Sequence, residues 1–287
     1  MAIIKLASYL PERFIYFWFR ALGGFAFYIL KYRREVVRTN LKSAFPDFPE
    51  EKIRSLEKAF YFHFTEVFAE FIIAYRFTKS DWEERCKLIN PELLRDELDK
   101  GQPVVLLSGH MANWEWPAHS ISRLMGYPME FLYKPIKNQK YEEIMHNLRT
   151  RHGGRAIPKD TASREIIKRK DEPRVIGFIA DQVPSIGTEK RWVDFLNKET
   201  AFYVGAERIA MAIQYPAFFC DTRRIGRGRY EVTFHSVAQP PYSDQPGIIE
   251  TYAGLLEKAI QNSPGDYLWS HKRWKYTREE AEAVTSA

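Results

Sequence analysis

The chain has few of the residues that carry covalent or metal-based chemistry. Its 287 residues include two cysteines, Cys86 and Cys220. Two are too few for a disulfide framework, and no C-x-x-C or Cys/His cluster offers zinc spacing, so a metal site is not expected and a reducing compartment is the default. No G-x-S-x-G elbow presents an activated serine. No glycine-rich loop opens a helix to cradle a phosphate, and Gly226-x-Gly228 reads as a hairpin turn. The seven histidines are scattered singly. His63, His119, His146, His152, His235 and His271 have no ligand spacing and read as structural or surface residues. Repeats, low-complexity tracts and Gly/Pro/Ser-rich linkers are also missing, so the length suits one large α/β domain with an N-terminal appendage or two small domains.

A long uninterrupted apolar run is lacking too. The nearest approach is Phe14-Ile15-Tyr16-Phe17-Trp18-Phe19, then Arg20, then Ala21 through Leu30. A spanning helix needs about 20 apolar residues, and an arginine near its centre costs roughly 2.5–3.5 kcal/mol on insertion scales. Such a helix either snorkels its arginine or lies in the interface plane. It has no strong charged leader and no A-x-A-like cleavage site, so it does not read as a cleaved signal. Lys31, Arg33, Arg34 and Arg38 follow it. The expectation is a membrane-anchoring segment over 1–45, with its basic flank and a main domain over 46–287 on the cytoplasmic side. The alternative is an aromatic-rich helix packed on the core.

What the chain does have is a net charge of +6 and 15% aromatic residues. A basic surface suits nucleic acid, an anionic membrane or an acidic carrier protein. The basic residues are dispersed among acidic ones rather than gathered on a recognition stripe, which argues against nucleic acid. Apolar spacing predicts a long helix over 49–77. The runs Val104–Leu107 and Val175–Ala180 read as buried strands. Helices are expected over 91–100, 114–125, 138–151, 161–170, 204–213 and 247–262, with further strands over 129–133, 217–222 and 230–234 and a long loop from Gln182 to about Thr200. The alternation predicts an α/β fold with a mostly parallel central sheet flanked by helices. In such sheets, sites collect at the carboxyl ends of strands. His110 and Asp181 both stand at such ends.

Ser108-Gly109-His110-Met111-Ala112-Asn113-Trp114-Glu115 is the segment that points to chemistry. Histidine is the usual proton acceptor near neutral pH. A carboxylate on its other ring nitrogen fixes the tautomer and stabilises the cation. Five residues apart on a regular helix is about 140° of rotation. His110 and Glu115 therefore pair only if His110 sits on the strand-to-helix turn and Glu115 in the first helical turn, with Asn113 as a cap. Standing alone, the spacing equally describes a loop histidine with an unrelated glutamate nearby.

Further blocks accompany it in order. Asn40-Leu41 through Ala44-Phe45-Pro46 resembles an N-L-x-x-x-F-P element. His110 to Glu115 resembles H-x4-D/E. Tyr133-Lys134-Pro135 with Arg149 resembles a Y-R-P element and a downstream helix arginine. Ala180-Asp181-Gln182 follows, and Trp269-Ser270-His271-Lys272-Arg273-Trp274-Lys275 is similar to a W-x-H-x-R-x-K ending. From about Arg33 to Lys275 the chain resembles the bacterial lipid A biosynthesis acyltransferases, the lauroyl/myristoyl transferases of the glycerolipid acyltransferase-like fold.

The resemblance implies an O-acyltransferase that moves a fatty acyl chain from an acyl thioester, on acyl-carrier protein or coenzyme A, to a hydroxyl of a membrane lipid. The thioester is a co-substrate and no cofactor is implied. His110 would be the general base and Glu115 its partner. Arg149, Asp181 and Lys134 would bind substrate: Arg149 gripping phosphate or pinning the acidic cluster, Asp181 fixing a loop or the acceptor, Lys134 contacting phosphate. On the residues alone, these three read equally as a helix salt bridge, a turn cap and a solvated lysine. Arg273 and Lys275, among Trp269, Trp274 and Tyr276, would form an interfacial patch or an ordinary basic surface.

The implied location is the cytoplasmic side of the cell inner membrane, without nucleic acid. Met111-Ala112, Lys134 and the loop over 183–198 depart from the family pattern. The acceptor accordingly stays open between a lipid A precursor and a lysophospholipid, aminolipid or glycolipid. A catalytically idle lipid-binding protein on the same fold is the reading of another class.

Overall fold

The apolar runs after Gly101 and after Arg174 lie side by side in the middle of one sheet. The structure, a computed structural model, describes residues 2–133, 135–136, 138–242 and 247–285. In chain order the elements are α1 (Ala2–Ala7), α2 (Glu12–Phe25), α3 (Arg34–Ala44), α4 (Glu50–Ala74), α5 (Lys79–Arg85), β1 (Cys86–Leu88), α6 (Glu92–Asp99), β2 (Val104–Ser108), α7 (Trp116–Met125), β3 (Met129–Tyr133) and α8 (Gln139–Thr150). They continue with β4 (Arg155–Pro158), α9 (Lys159–Lys168), β5 (Val175–Ile179), β6 (Lys190–Phe195), β7 (Lys198–Tyr203), α10 (Gly205–Ile213), β8 (Ala217–Gly226), β9 (Arg229–Ala238), α11 (Ile248–Asn262) and α12 (Arg278–Thr285).

Seven strands form the central sheet in the order β1-β9-β8-β2-β5-β3-β4. Only the β8–β9 hairpin is antiparallel; the other pairs run parallel. The fold is thus the mixed α/β class expected, with a mostly parallel sheet flanked by helices. Side chains alternate between the two faces of each strand. Val105 and Leu107 of β2 join Ile176, Phe219 and the α11 residues Tyr252 and Leu256 on one face. Val104 and Leu106 join Val175, Phe218 and the tryptophans Trp82 and Trp116 on the other. Because β2 and β5 are covered on both faces, they read as continuous apolar runs.

Of the loop expected from Gln182 to about Thr200, residues 182–189 are irregular, whereas Lys190–Tyr203 folds into a separate antiparallel hairpin, β6–β7. Its strands carry Lys190, Arg191, Asp194, Lys198 and Glu199, which blurred the strand signal. Its turn uses Leu196 and Asn197 at φ 50 and 63 rather than glycine. Left-handed dihedrals at both central positions suit a tight hairpin. The short edge strands β1 and β4 have too few residues to show a period.

At the N-terminus, α2 continues into a π-helical turn over Ala26–Leu30 that stops at Lys31 in the left-handed region. Among the described residues, no helix is long and apolar enough to cross a membrane. One side of α2 buries Ile15, Tyr16 and Gly23. The other leaves Phe17 63% and Trp18 57% exposed, with Phe14, Leu22, Phe25 and Tyr28 beside them. The following helix is tied to the rest of the chain: Asn40 Nδ2 donates to the carbonyls of Trp269 and His271 at 2.8 Å each, and Arg34 Nε reaches Glu57 at 2.6 Å.

Glu130 anchors the β3 side of the sheet. Its buried carboxylate meets Arg174 Nε at 2.9 Å and also Arg169. Removing one member of a buried ion pair leaves a charge uncompensated, at a cost of roughly 3–5 kcal/mol. Glu130→Ala should lower unfolding stability in urea by about that amount, and adding Arg174→Met should recover part of it. A loss below about 1 kcal/mol would show that the pair is not structural.

Candidate active site

The histidine motif occupies the crossover from β2 to α7. The chain leaves the sheet pressed against α11. A Cβ on Gly109 would lie 2.5 Å from Leu256 Cδ1, so glycine permits the close approach. Ala112 adopts φ 49, and the helix proper starts at Trp116. Asn113 Oδ1 accepts from the backbone N–H groups of Glu115 and Trp116 at 3.1 Å each, which satisfies donors at the helix start. The C-terminal segment clasps the turn. Ala112 N donates to Asp266 O at 2.8 Å, Leu268 N donates to His110 O at 3.1 Å, and Met111 bridges Tyr267.

His110 and Asp181 meet across the sheet. The carboxylate accepts from His110 Nδ1 at 2.6 Å through Oδ1, and from the His110 backbone N–H at 2.9 Å through Oδ2. Asp181 is 2% exposed. Burial pushes its carboxyl upward, but the contacts from His110, aided by the Arg273 charge, outweigh that and hold it below the usual carboxylate range. An ionised carboxylate can only accept, so Nδ1 is the donor to Asp181, and in the neutral ring this tautomer places the lone pair on Nε2. The Gln182 amide stands 3.4 Å from Nε2. The His110 side chain is 15% exposed, open enough for a substrate atom to reach.

This differs from the pairing expected within the motif. Glu115 does not meet the ring; its carboxylate faces Arg149 of α8, with Nη2–Oε1 at 2.8 Å and Nε contacts at 3.2 and 3.3 Å. The physical reason is the turn itself. The helix begins only after Glu115, so Glu115 sits at its N-cap position rather than inside its first turn. Asp181, at the end of the neighbouring strand, takes the ring nitrogen instead. Glu115 and Arg149 line a mainly apolar pocket of about 70 Å³ whose other walls include Leu106, Ile121, Met129 and Phe131. Arg149, expected as either a phosphate grip or a pin for the acidic cluster, makes the pinning contact with Glu115. Lys134 lies outside the described residues.

A strand-end histidine held by a buried carboxylate thus stands next to Ser108, Gly109 and Trp114, which line the mainly apolar pocket. A family model described as bacterial lipid A biosynthesis acyltransferase matches residues 1–276. The chain belongs to that family. None of the curated proteins compared with it matches.

In this acyltransferase the W-x-H-x-R-x-K ending is interior rather than an interfacial patch. Trp269 and Arg273 are buried, and only Lys272 and Lys275 face out. Arg273 Nη2 donates to Ala201 O at 2.7 Å, and its guanidinium lies 4.5 Å from the centre of the Phe202 ring. Burial lowers its proton affinity. His271, read from sequence as structural or surface, accepts from Val183 N at 3.0 Å through Nε2 and so holds the chain just after Asp181. Burial, with the Asp181 charge opposing, brings its pKa down to about 4, so it stays neutral. Tyr252 of α11 donates to Ser108 O at 2.8 Å at the end of β2. Only the H and R of the C-terminal block signalled such residues; the tyrosine had no local signature.

Glu70 supports the turn from below. Its buried carboxylate accepts from Asn113 Nδ2 at 2.6 Å, Tyr230 OH at 2.7 Å and Tyr16 OH at 3.2 Å. Burial pushes its pKa up to about 7, against the downward pull of these donors. A carboxyl whose folded pKa is raised binds its proton more tightly in the folded state. Stability therefore falls as pH rises from about 4.5 to about 7, then levels off. Glu70→Gln should remove that component: the urea stability of wild type relative to the variant should decline across this window. A difference that is flat with pH would show that Glu70 ionises normally.

Proposed function

We propose that the protein transfers a fatty acyl chain from an acyl thioester, carried by acyl-carrier protein or coenzyme A, to a hydroxyl of a lipid A precursor. The observation that carries this reading is the His110–Asp181 contact one residue along from Gly109, which lines the apolar pocket. Family membership supplies the acyl-transfer class.

His110 Nε2 takes the proton of the acceptor hydroxyl as its oxygen attacks the thioester carbonyl carbon. The imidazolium that forms is stabilised by Asp181, which also fixes the tautomer. The tetrahedral intermediate collapses, the carbon–sulfur bond breaks, and the proton on Nε2 passes to the departing thiolate. The products are an ester and a free thiol, and no covalent enzyme intermediate is required. Arg149 commits Nε and Nη2 to Glu115. Its Nη1 is the donor available to a developing oxyanion or to a substrate phosphate, and Glu115 sets its direction.

The exposed aromatic side of α2 supports membrane association by insertion into the interface of the cytoplasmic leaflet. Phe17→Asp together with Trp18→Asp should weaken binding to bilayer vesicles at least ~10-fold, since each buried ring contributes roughly 1.5–3 kcal/mol. Unchanged partitioning would remove that role.

General base catalysis is worth about 10²–10⁴-fold. In a detergent assay with acyl thioester and lipid acceptor, His110→Ala and Asp181→Asn should each lower kcat by at least ~10²-fold with the fold intact. Glu115→Gln and Arg149→Gln should behave as one unit, the double variant losing no more than the worse single one. Full activity of His110→Ala would sink the mechanism, and additive losses would separate Glu115 from Arg149.

A further inference from the structure

A second cavity, with both charged and apolar walls, lies away from the pocket beside Glu115, in the groove between α2 and α4. Arg20, Ser55, Lys58, His63, Glu66 and Arg224 line it, and its volume is about 420 Å³. None of these residues lines the apolar pocket beside Glu115. The charges are unbalanced. The buried carboxylate of Glu66 receives Arg20 Nη1 at 2.8 Å, Arg227 Nε at 3.1 Å and Arg224. Three guanidiniums thus converge on one acid, and Lys58 has no acidic partner among the described residues. Lys58 instead hangs over the rings of Tyr28 and Phe62, with Nζ 5.8 and 5.9 Å from their centres.

The wall contains an unusual histidine. His63 is 4% exposed, and the polar group that reaches its ring is the Ala112 backbone of the β2–α7 turn. The carboxylate of Asp266 stands 4.0 Å from its Nε2. Arg224 Nε is buried without a partner. A cavity with surplus fixed positive charge and unspent donors is built for an anion with several acceptor oxygens. Its rim favours a lipid as the source. Phe17, one turn before Arg20 on α2, and Tyr28, in the π-helical turn that follows α2, are both exposed. An anion on a hydrocarbon tail would fill both the basic groove and the apolar rim, whereas a free anion fills only the first.

We propose that the groove between α2 and α4 binds the phosphate of an anionic phospholipid, held by Arg20, Lys58 and Arg224, as a site separate from the catalytic cleft. The groove also abuts the catalytic turn from behind. The Asp266 carboxylate faces His63, while the Asp266 carbonyl holds Ala112 N at 2.8 Å.

The test reads binding, not acyl transfer, so it stands independently of the proposed reaction. The full chain with labelled histidines is titrated with dihexanoyl phosphatidylglycerol below its micelle concentration, and separately with inorganic phosphate. The His63 ring signals should move saturably with the lipid, with a Kd at least ~10-fold below that for phosphate. Lys58→Gln removes an exposed charge whose described contacts are two rings. It should weaken lipid binding about 5-fold or more, on the scale of roughly 1 kcal/mol per basic residue. Arg13→Gln, a charge-matched change on α2 outside the groove, should shift it less than ~2-fold. A silent His63, equal effects of the two variants, or equal affinity for inorganic phosphate would each overturn the assignment.

Discussion

Asp181 is the residue on which the site's geometry depends. By accepting from both the ring and the backbone N–H of His110, it ties together the ends of two adjacent strands. This works because β2 and β5 run parallel in register, with Ser108 level with Ile179. Parallel neighbours bring their carboxyl ends to the same edge, and residues 71 positions apart in the chain become hydrogen-bonded. A buried carboxylate is costly to desolvate, by several kcal/mol for an unpaired ion. Two short hydrogen bonds and the nearby Arg273 offset that cost. The same bonds make Nδ1 the donor to Asp181, so the interaction that stabilises the buried acid also sets which ring nitrogen faces away from it.

The long helix α4 is the spine behind this edge. It would pass for an ordinary apolar helix, yet it buries Glu57, His63, Glu66 and Glu70. Each carboxylate receives donors from a different part of the chain. Glu57 takes Arg34 of α3, Glu66 takes Arg20 of α2 and Arg224 and Arg227 of the β8–β9 hairpin, and Glu70 takes Asn113 of the β2–α7 turn. The N-terminal helices, the sheet edge and the active-site turn are therefore referenced to one helix. The anion groove is a by-product of the same arrangement, since too many arginines gather around one acid.

The sheet was legible because its central strands are apolar on both faces, and β2 and β5 fall where Val104–Leu107 and Val175–Ala180 indicated. Helices α4, α7, α8, α10 and α11 kept their expected places within a few residues; Asn113 does accept from backbone N–H groups at the start of α7, but the N-cap position falls at Glu115. The β6–β7 hairpin was not legible. Its strands alternate charged residues without a clean apolar face, and its turn has a leucine where glycine or asparagine would announce it. The C-terminal tryptophan block was misjudged because Arg and Trp side by side suit an interface as well as a core. Burial of Arg273 depends on Phe202 and the Ala201 carbonyl, supplied by that same hairpin.

The sequence by itself determined the fold class, the strand-end position of His110 and the acyltransferase family. Each rests on local periodicity or on ordered motif blocks, which are properties of consecutive residues. Tertiary structure alone decided which carboxylate holds the histidine. Spacing along the chain favoured Glu115, five residues away. The turn starts its helix too late for that pairing, and strand adjacency brings Asp181 to the ring while Arg149 claims Glu115. Hydrogen bonding is decided by distance in space, and a parallel sheet makes distant residues neighbours.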